Sequence, residues 1–343
     1  MIPQPKVTII IPVYNVEQYL RQCLDSVVYQ TIQEIQIICV NDGSPDNSLA
    51  ILQEYAARDF RIEIIDKPNG GLSSARNAAY PSIKGKYVLF LDSDDWWDLD
   101  LCEKTYQKSE VTGAQMTVFF DQEEGGQSKG CMYWQIAPED KTTVEEKITL
   151  LGYPGACFKL WRTDFLLGNK LYFPEGLVFE DNFIHWQAIT LADRVSVVPE
   201  QLYHRRTNLA SISRSVGKHV MDIVPIFNKI YEYLLESGYY AAYRDAFLSQ
   251  RLSAWHHRYN NGIPTSMKSR YIGIIRKSLT GDDREFYRST LRICLFYKMV
   301  EGNTTDALKY HFFEVVYWLA RLFPQWLVMP LKNLLKAVLK KSR

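Results

Sequence analysis

The sequence has no run of about 18 uncharged apolar residues, the length a membrane-crossing helix needs. A secretory leader is not expected either. Met1-Ile2-Pro3-Gln4-Pro5-Lys6 has no basic region, no long apolar core and no small-residue cleavage site. Its six cysteines form no C-x-x-C pair and sit near no suitably spaced histidine, which argues against a zinc site or a disulfide framework. Charge of one sign is missing too: 40 Lys and Arg stand against 39 Asp and Glu, a net charge of +1. The whole chain is therefore not built as a polyanion binder, and no nucleic-acid partner is expected. The absent G-x-G-x-x-G excludes a dinucleotide-binding dehydrogenase. From these absences the expected compartment is the cytoplasm.

What remains is ordinary for a folded protein: 343 residues, 47% hydrophobic and 23% charged, enough for one large domain with an appendage. The first hundred residues alternate between short apolar runs and amphipathic segments. Val7–Val13, Ile35–Val40, Ile62–Ile65 and Tyr87–Leu91 read as strands, while Val16–Tyr29, Pro45–Arg58 and Leu72–Tyr80 read as helices. Such alternation predicts βαβ units and a mostly parallel, doubly covered sheet. Beyond residue 115 the order becomes mixed. Gln115–Phe120 and Val195–Tyr203 read as strands, Asp121–Gly130 as a polar loop, Thr143–Leu151 and Asn182–Leu191 as helices. From about Lys218 the pattern is helical, and a composition shift near residue 216 marks the expected domain boundary.

The polar groups fall at strand ends. Tyr14-Asn15 follows the first strand, Asn41-Asp42-Gly43-Ser44 the second and Asp92-Ser93-Asp94-Asp95 the fourth. In open α/β sheets ligands bind at that rim. Any one cluster serves equally as a turn or a cap; three on one rim point to a site. Two carboxylates one residue apart, Asp92 and Asp94, suit Mn2+ or Mg2+, which combines one or two carboxylates with substrate phosphates. Such an ion would stabilise a diphosphate leaving group.

Four segments together resemble the signatures of the family 2 glycosyltransferases, in order and in spacing. They are Val-Thr-Ile-Ile-Ile-Pro-Val-Tyr-Asn (7–15), Val-Asn-Asp-Gly-Ser-Pro-Asp-Asn-Ser (40–48), Asn-Gly-Gly-Leu-Ser-Ser-Ala-Arg-Asn (69–77) and Phe-Leu-Asp-Ser-Asp-Asp (90–95). The resemblance implies a GT-A fold: a Rossmann-like nucleotide-binding α/β domain over residues 1–215, with a nucleotide-sugar half to about 115 and an acceptor half after it. Residues 216–343 would be a helical C-terminal region. The implied activity is inverting, metal-dependent transfer of one sugar from a UDP-linked donor to a glycan hydroxyl in bacterial surface polysaccharide assembly. The Gln-x-x-Arg-Trp segment of processive synthases is absent, as are their membrane spans, so transfer should stop after one sugar.

By the same resemblance, Tyr14 and Asp42 should hold the base, and Arg76 and Asn77 should lie near base and ribose; Arg76 can also, or instead, pair with a local carboxylate such as Asp42 or Asp92. Asp92, with Ser93 beside it, should take the ribose, and Asp94 the metal. Asp95 reads as the N-cap of the next helix or, as the alternative, as a residue supporting the site from behind, and Ser73 or Ser74 as the cap of the helix before it. In Phe-Glu-Asp-Asn (179–182), Asp181 is the expected base and Glu180 its rival, their side chains expected to point apart. Lys159–Phe165 reads as scaffold. The loop after the last strand should bring His204 to the metal and Arg206 to the diphosphate, the alternative being a solvated basic loop.

The C-terminus places Leu327, Leu331, Leu334, Leu335 and Val338 on one helical face and Lys332, Lys336 and Lys340 on another. This points to a membrane surface at the inner face of the cell membrane, and so to a polyprenyl-diphosphate-linked acceptor. A packing helix or a dimer contact is the other reading. Two further functions stay open: a sugar-1-phosphate nucleotidylyltransferase, though Pro12-Val13-Tyr14-Asn15 stands where its Gly-rich loop belongs, and a non-catalytic nucleotide-sugar-binding protein.

Overall fold

The computed structural model describes residues 4–124, 136–207, 218–287, 291–302 and 310–311. It divides into two compact units, one within Met1–Ser215 and Lys229–Tyr243, the other within Val216–Asn228 and Arg244–Arg343.

The first unit is built on one sheet. Its strands are β1 (Val7–Val13), β2 (Ile35–Asn41), β3 (Ile62–Asp66), β4 (Tyr87–Phe90), β5 (Trp96–Trp97), β6 (Met116–Glu123), β7 (Lys159–Arg162) and β8 (Val195–Arg205), in the order β3-β2-β1-β4-β7-β6-β8-β5. Every residue of β1, β2 and β4 is buried, as their unbroken apolar runs require. Each fully buried Val, Ile, Leu or Phe there contributes about 1.5–3 kcal/mol. β1, β2, β3 and β4 pair in parallel. Beyond β4 the sheet is mixed: β7 is antiparallel to β4 and β6, and β8 is parallel to β6. The parallel expectation therefore holds for the first half, where helices supply the crossovers. It yields where the βαβ alternation stops.

The intervening helices are α1 (Glu17–Val28), α2 (Ser48–Ala56), α3 (Leu72–Ala78), α4 (Leu101–Thr112), α5 (Val144–Ile148), α6 (Thr163–Gly168) and α7 (Glu180–Leu191). α2 starts later than its pattern predicts, because the Asp46 carboxylate accepts from the main-chain N–H of both Glu17 and Ser48 and holds Pro45-Asp46 as a loop. The chain leaves β1 toward β2 and β3 and returns to β4 on the other side of β1, so the crevice between the loops after β1 and β4 is a topological switch point.

Downstream come α8 (Ile223–Glu236), α9 (Tyr240–Asn261), α10 (Lys268–Ser278), α11 (Gly281–Phe286) and α12 (Leu291–Val300). Within the second unit the buried Arg251 lies 3.4 Å from Asp283 and donates to Asn228 Oδ1 and the Ser278 carbonyl. No helix among the described residues is long and apolar enough to cross a membrane. The basic amphipathic segment at 327–340 lies outside the described residues, as do residues 125–130 of the expected polar loop and 208–217 of the expected donor loop.

Candidate functional site

The rim is assembled by short-range geometry first. After β1 the chain turns at Asn15, in the left-handed region at φ 54°, and leaves Tyr14 half exposed. After β2 comes Asp42, buried at 2% exposure. Its Oδ1 accepts from Lys67 Nζ at 2.6 Å and from the Gly70 N–H at 2.9 Å, and its Oδ2 from the Gly71 N–H at 2.8 Å. The expected serine cap of α3 is therefore corrected: the N-cap is Gly71, with no side-chain cap bond of its own, and the Asp42 carboxylate takes the amides just ahead of the helix. Gly43 makes this approach possible. It sits at φ +67°, and a Cβ there would meet the Asn69 nitrogen at 2.9 Å.

α3 carries Arg76, whose guanidinium is 1% exposed and joins segments far apart in sequence. Nη1 donates to Glu180 Oε1 at 2.9 Å and to Asp181 Oδ1 at 2.8 Å, while Nη2 donates to Asp92 Oδ1 at 2.9 Å. The Phe173 ring lies 4.9 Å from Cζ. Glu180 and Asp181 open α7 behind Phe179, which holds φ 72°. A bulky residue in that region costs of order 1–3 kcal/mol. The expectation that the two acidic side chains point apart is corrected, since both reach the same nitrogen. They differ in exposure: the Glu180 side chain is 9% exposed and that of Asp181 24%. Burial, then the adjacent Asp181 charge, pushes Glu180 up to about 7. Asp181 is the more exposed of the two, and its Oδ2 accepts from the Ala156 N–H at 3.2 Å. Asn77 has both ends of its amide on the Phe173 main chain, at 2.8 and 3.0 Å, so it ties α3 to the segment leading into the acidic pair.

In the turn after β4, Asp92 and Asp94 are half-buried while Ser93 and Asp95 are buried. Of the two expectations for Asp95 the N-cap is corrected, and the supporting residue is the one its contacts describe. α4 begins at Leu101, behind Asp100, and Asp95 accepts from Tyr203 Oη at 2.6 Å and from the Arg206 N–H at 2.7 Å. Burial, then Asp94 and Asp92, raises its proton affinity well above the ordinary carboxylate range. Arg206 packs its guanidinium 4.8 Å from the Tyr19 and Trp96 rings and donates through Nε to the Asp94 carbonyl at 2.9 Å. The solvated-loop alternative does not describe this residue. His204 stacks on Trp96 at 5.2 Å; its Nε2 meets Asp98 Oδ1 at 2.7 Å and its Nδ1 meets Gln122 Nε2 at 3.0 Å. Both ring nitrogens thus have protein partners.

Among the described residues, no group of three or more His, Cys, Asp or Glu side chains is arranged to hold a metal alone. Asp92 and Asp94, both half-buried, nevertheless offer hard oxygen donors at the rim. A Mg2+- or Mn2+-type ion that draws further oxygens from substrate phosphate fits this donor set.

One support was legible only as scaffold. Lys159, in β7, is fully buried and donates to the Tyr153 and Gly155 carbonyls at 2.8 and 2.6 Å, which fixes the loop whose Ala156 N–H holds Asp181. Burial pushes Lys159 down to about 7. For α4, Asp100 was the nearer cap signal.

Residues 8–165 match the family described as Glycosyl transferase family 2. The chain is 35% identical over 229 residues to the glycosyltransferase GlyA of Streptococcus pneumoniae, which takes in 62% of this chain and 32% of GlyA. It is 32% identical over 226 residues to the uncharacterized glycosyltransferase EpsJ of Bacillus subtilis, 64% of this chain and 66% of EpsJ. It thus spans about a third of one relative and just under two thirds of the other. The fold matches TarS of Staphylococcus aureus, solved with UDP-GlcNAc, at a TM-score of 0.77 and 20% identity over 92% of both chains. The GT-A-type α/β fold with a helical C-terminal region is as the resemblance implied.

Proposed function

This chain carries a Glycosyl transferase family 2 domain over residues 8–165, and from that premise we propose that it is a nonprocessive, inverting glycosyltransferase of bacterial surface polysaccharide assembly. It moves one sugar from a UDP-linked donor to a hydroxyl of a glycan acceptor. One observation carries this reading: Asp92, from the rim after β4, and Asp181, from the start of α7, converge on the single guanidinium of Arg76. A donor-side carboxylate and an acceptor-side carboxylate thus border one crevice.

In the proposed reaction Tyr14 and Asp42 face the base, and Asp92 with Ser93 the ribose. Asp94 is the carboxylate for a divalent ion, which would neutralise the departing diphosphate. Asp181 accepts the proton of the acceptor hydroxyl through its exposed edge. That oxygen forms a bond to the anomeric carbon while the bond from the same carbon to the diphosphate oxygen breaks on the opposite face, inverting the centre. General-base assistance of this kind contributes about 10²–10⁴-fold. Arg206 offers charge to the diphosphate beside Asp94, and His204 steadies the Trp96 face against which Arg206 packs. Arg76 and Asn77 shape the site from beneath.

The TarS complex with UDP-GlcNAc supports a UDP-linked donor. The basic amphipathic C-terminus supports a lipid-linked acceptor at the membrane surface. A panel of nucleotide sugars with Mn2+ or Mg2+, scored by thermal shift and donor hydrolysis, tests the assignment. A UDP-sugar should stabilise the chain and be hydrolysed; no response to any nucleotide sugar would overturn it.

A further inference from the structure

We propose that Lys67 is a specificity-determining residue: beside Asp42, it reads the 4-carbonyl of the donor's base and so selects uridine over cytidine. The inference rests on the reading of this rim as a nucleotide-sugar site.

The segment after β3, residues 67–71, folds around Asp42. The Lys67 N–H donates to the Asn41 carbonyl at 3.0 Å and Asn69 Nδ2 to the Asp42 carbonyl at 3.0 Å, while the Gly70 and Gly71 amides hold the two carboxylate oxygens. Lys67 Nζ lies 2.6 Å from Asp42 Oδ1 and 2.8 Å from the Pro68 carbonyl. An ammonium has three hydrogens. Two are spent on these bonds, and the third has no partner among the described residues. Asp42 Oδ1 accepts from Lys67 and Gly70 but Oδ2 from Gly71 alone, which leaves Oδ2 a lone-pair site. The pair thus offers one open acceptor next to one open donor. The Lys67 side chain is 21% exposed and that of Asp42 3%, so the ammonium is the half that meets solvent.

The topology orders this edge. Neighbouring strands run β4-β1-β2-β3, so Asp92, Tyr14, Asp42 and Lys67 follow one another along the rim. With the ribose at Asp92, Lys67 is the group farthest from it. Uracil carries an N–H at position 3 and, on the side away from the ribose, a carbonyl at position 4; cytosine carries a bare ring nitrogen and an amino group there. Uracil therefore donates to Asp42 and accepts from Lys67. Cytosine sets a lone pair against the carboxylate and an N–H against the ammonium, and repulsion of this kind is what rejects a near-isostere. Gly70 leaves room for the ammonium: a Cβ there would lie 2.9 Å from Lys67 Nζ and 2.6 Å from Ser74 Oγ.

The test is calorimetric titration of the full chain with UDP and with CDP, at one Mn2+ concentration, in wild type, Lys67→Met and Gly70→Ala. Wild type should bind UDP about 10²-fold more tightly than CDP. In Lys67→Met that preference should fall about tenfold, the loss expected for one hydrogen bond to a charged group. Gly70→Ala displaces the ammonium without removing its charge and should act in the same direction; it decides if Lys67→Met does not fold. A Lys67 that merely neutralises a buried carboxylate would lower the melting temperature and weaken UDP and CDP by one factor, and that unmoved ratio overturns the inference. Equal affinity of the wild type for the two nucleotides overturns it as well. A wild type that binds neither removes the nucleotide-sugar reading with it, whereas tight UDP binding with an unmoved ratio removes only this inference.

Discussion

Replacing Glu180 with glutamine should make the first unit more resistant to heat at pH 8 than the wild type, while leaving the two alike near pH 4. The Glu180 carboxyl is buried against Asp181 and is pushed from 4.5 to about 7. In the unfolded chain it loses its proton near the ordinary value; in the folded chain it holds the proton to higher pH. The folded state therefore binds more protons between those values, and stability falls as pH rises through the window. Below about 4.5 both states are protonated and the term vanishes; above about 7 it is fully present. A rise from 4.5 to about 7 is worth about 3 kcal/mol, at ~1.4 kcal/mol for each tenfold change in proton affinity. Glutamine resembles the protonated acid, still offers an oxygen to Arg76 Nη1, and carries no charge at any pH. At about 2–4 °C per kcal/mol for a unit of this size, the difference in melting temperature should open to about 6–12 °C between pH 4 and pH 8. Calorimetric scans at several pH values measure it. Parallel curves, or a variant that loses ground as pH rises, would show that Glu180 is ionised and held by Arg76, and would refute the reasoning.

Asp94→Ala should remove the metal-dependent increment in UDP affinity while preserving the fold; calorimetric titration with and without Mn2+ reads this directly. Asp42→Ala strands the Gly70 and Gly71 amides and should cost about 1–3 kcal/mol by denaturant titration, together with a loss of UDP affinity. Truncation from Pro324 should leave UDP binding intact but reduce co-sedimentation with anionic vesicles. Each lysine near such a surface is worth about 1 kcal/mol at low salt, whereas a dimer contact would instead change the particle size in solution.

The rim was legible because strand ends are legible. An unbroken run such as Val7–Val13 can only be a covered strand, and its end fixes where Tyr14 must lie. β7 was not legible as a strand, because Lys-Leu-Trp-Arg is short and begins with a buried lysine whose partners are main-chain carbonyls. β5 has two residues. Asp95 stayed open between cap and support because both use the same side chain, and only Tyr203 and Arg206, 108 and 111 residues on, distinguish them. Arg76 was placed near a carboxylate but not on the acidic pair of α7, since nothing local in the sequence links α3 to residues 180 and 181.

The central claim is that Asp181 takes the acceptor's proton in a UDP-sugar transfer, and the wild type compared with Asp181→Asn tests it most directly. UDP affinity by calorimetry and UDP release from UDP-GlcNAc are measured on the same samples. The variant should bind UDP within a few-fold of wild type and lose about 10²–10⁴-fold in turnover. Wild-type turnover in the variant, or loss of UDP binding in parallel with turnover, would contradict the account.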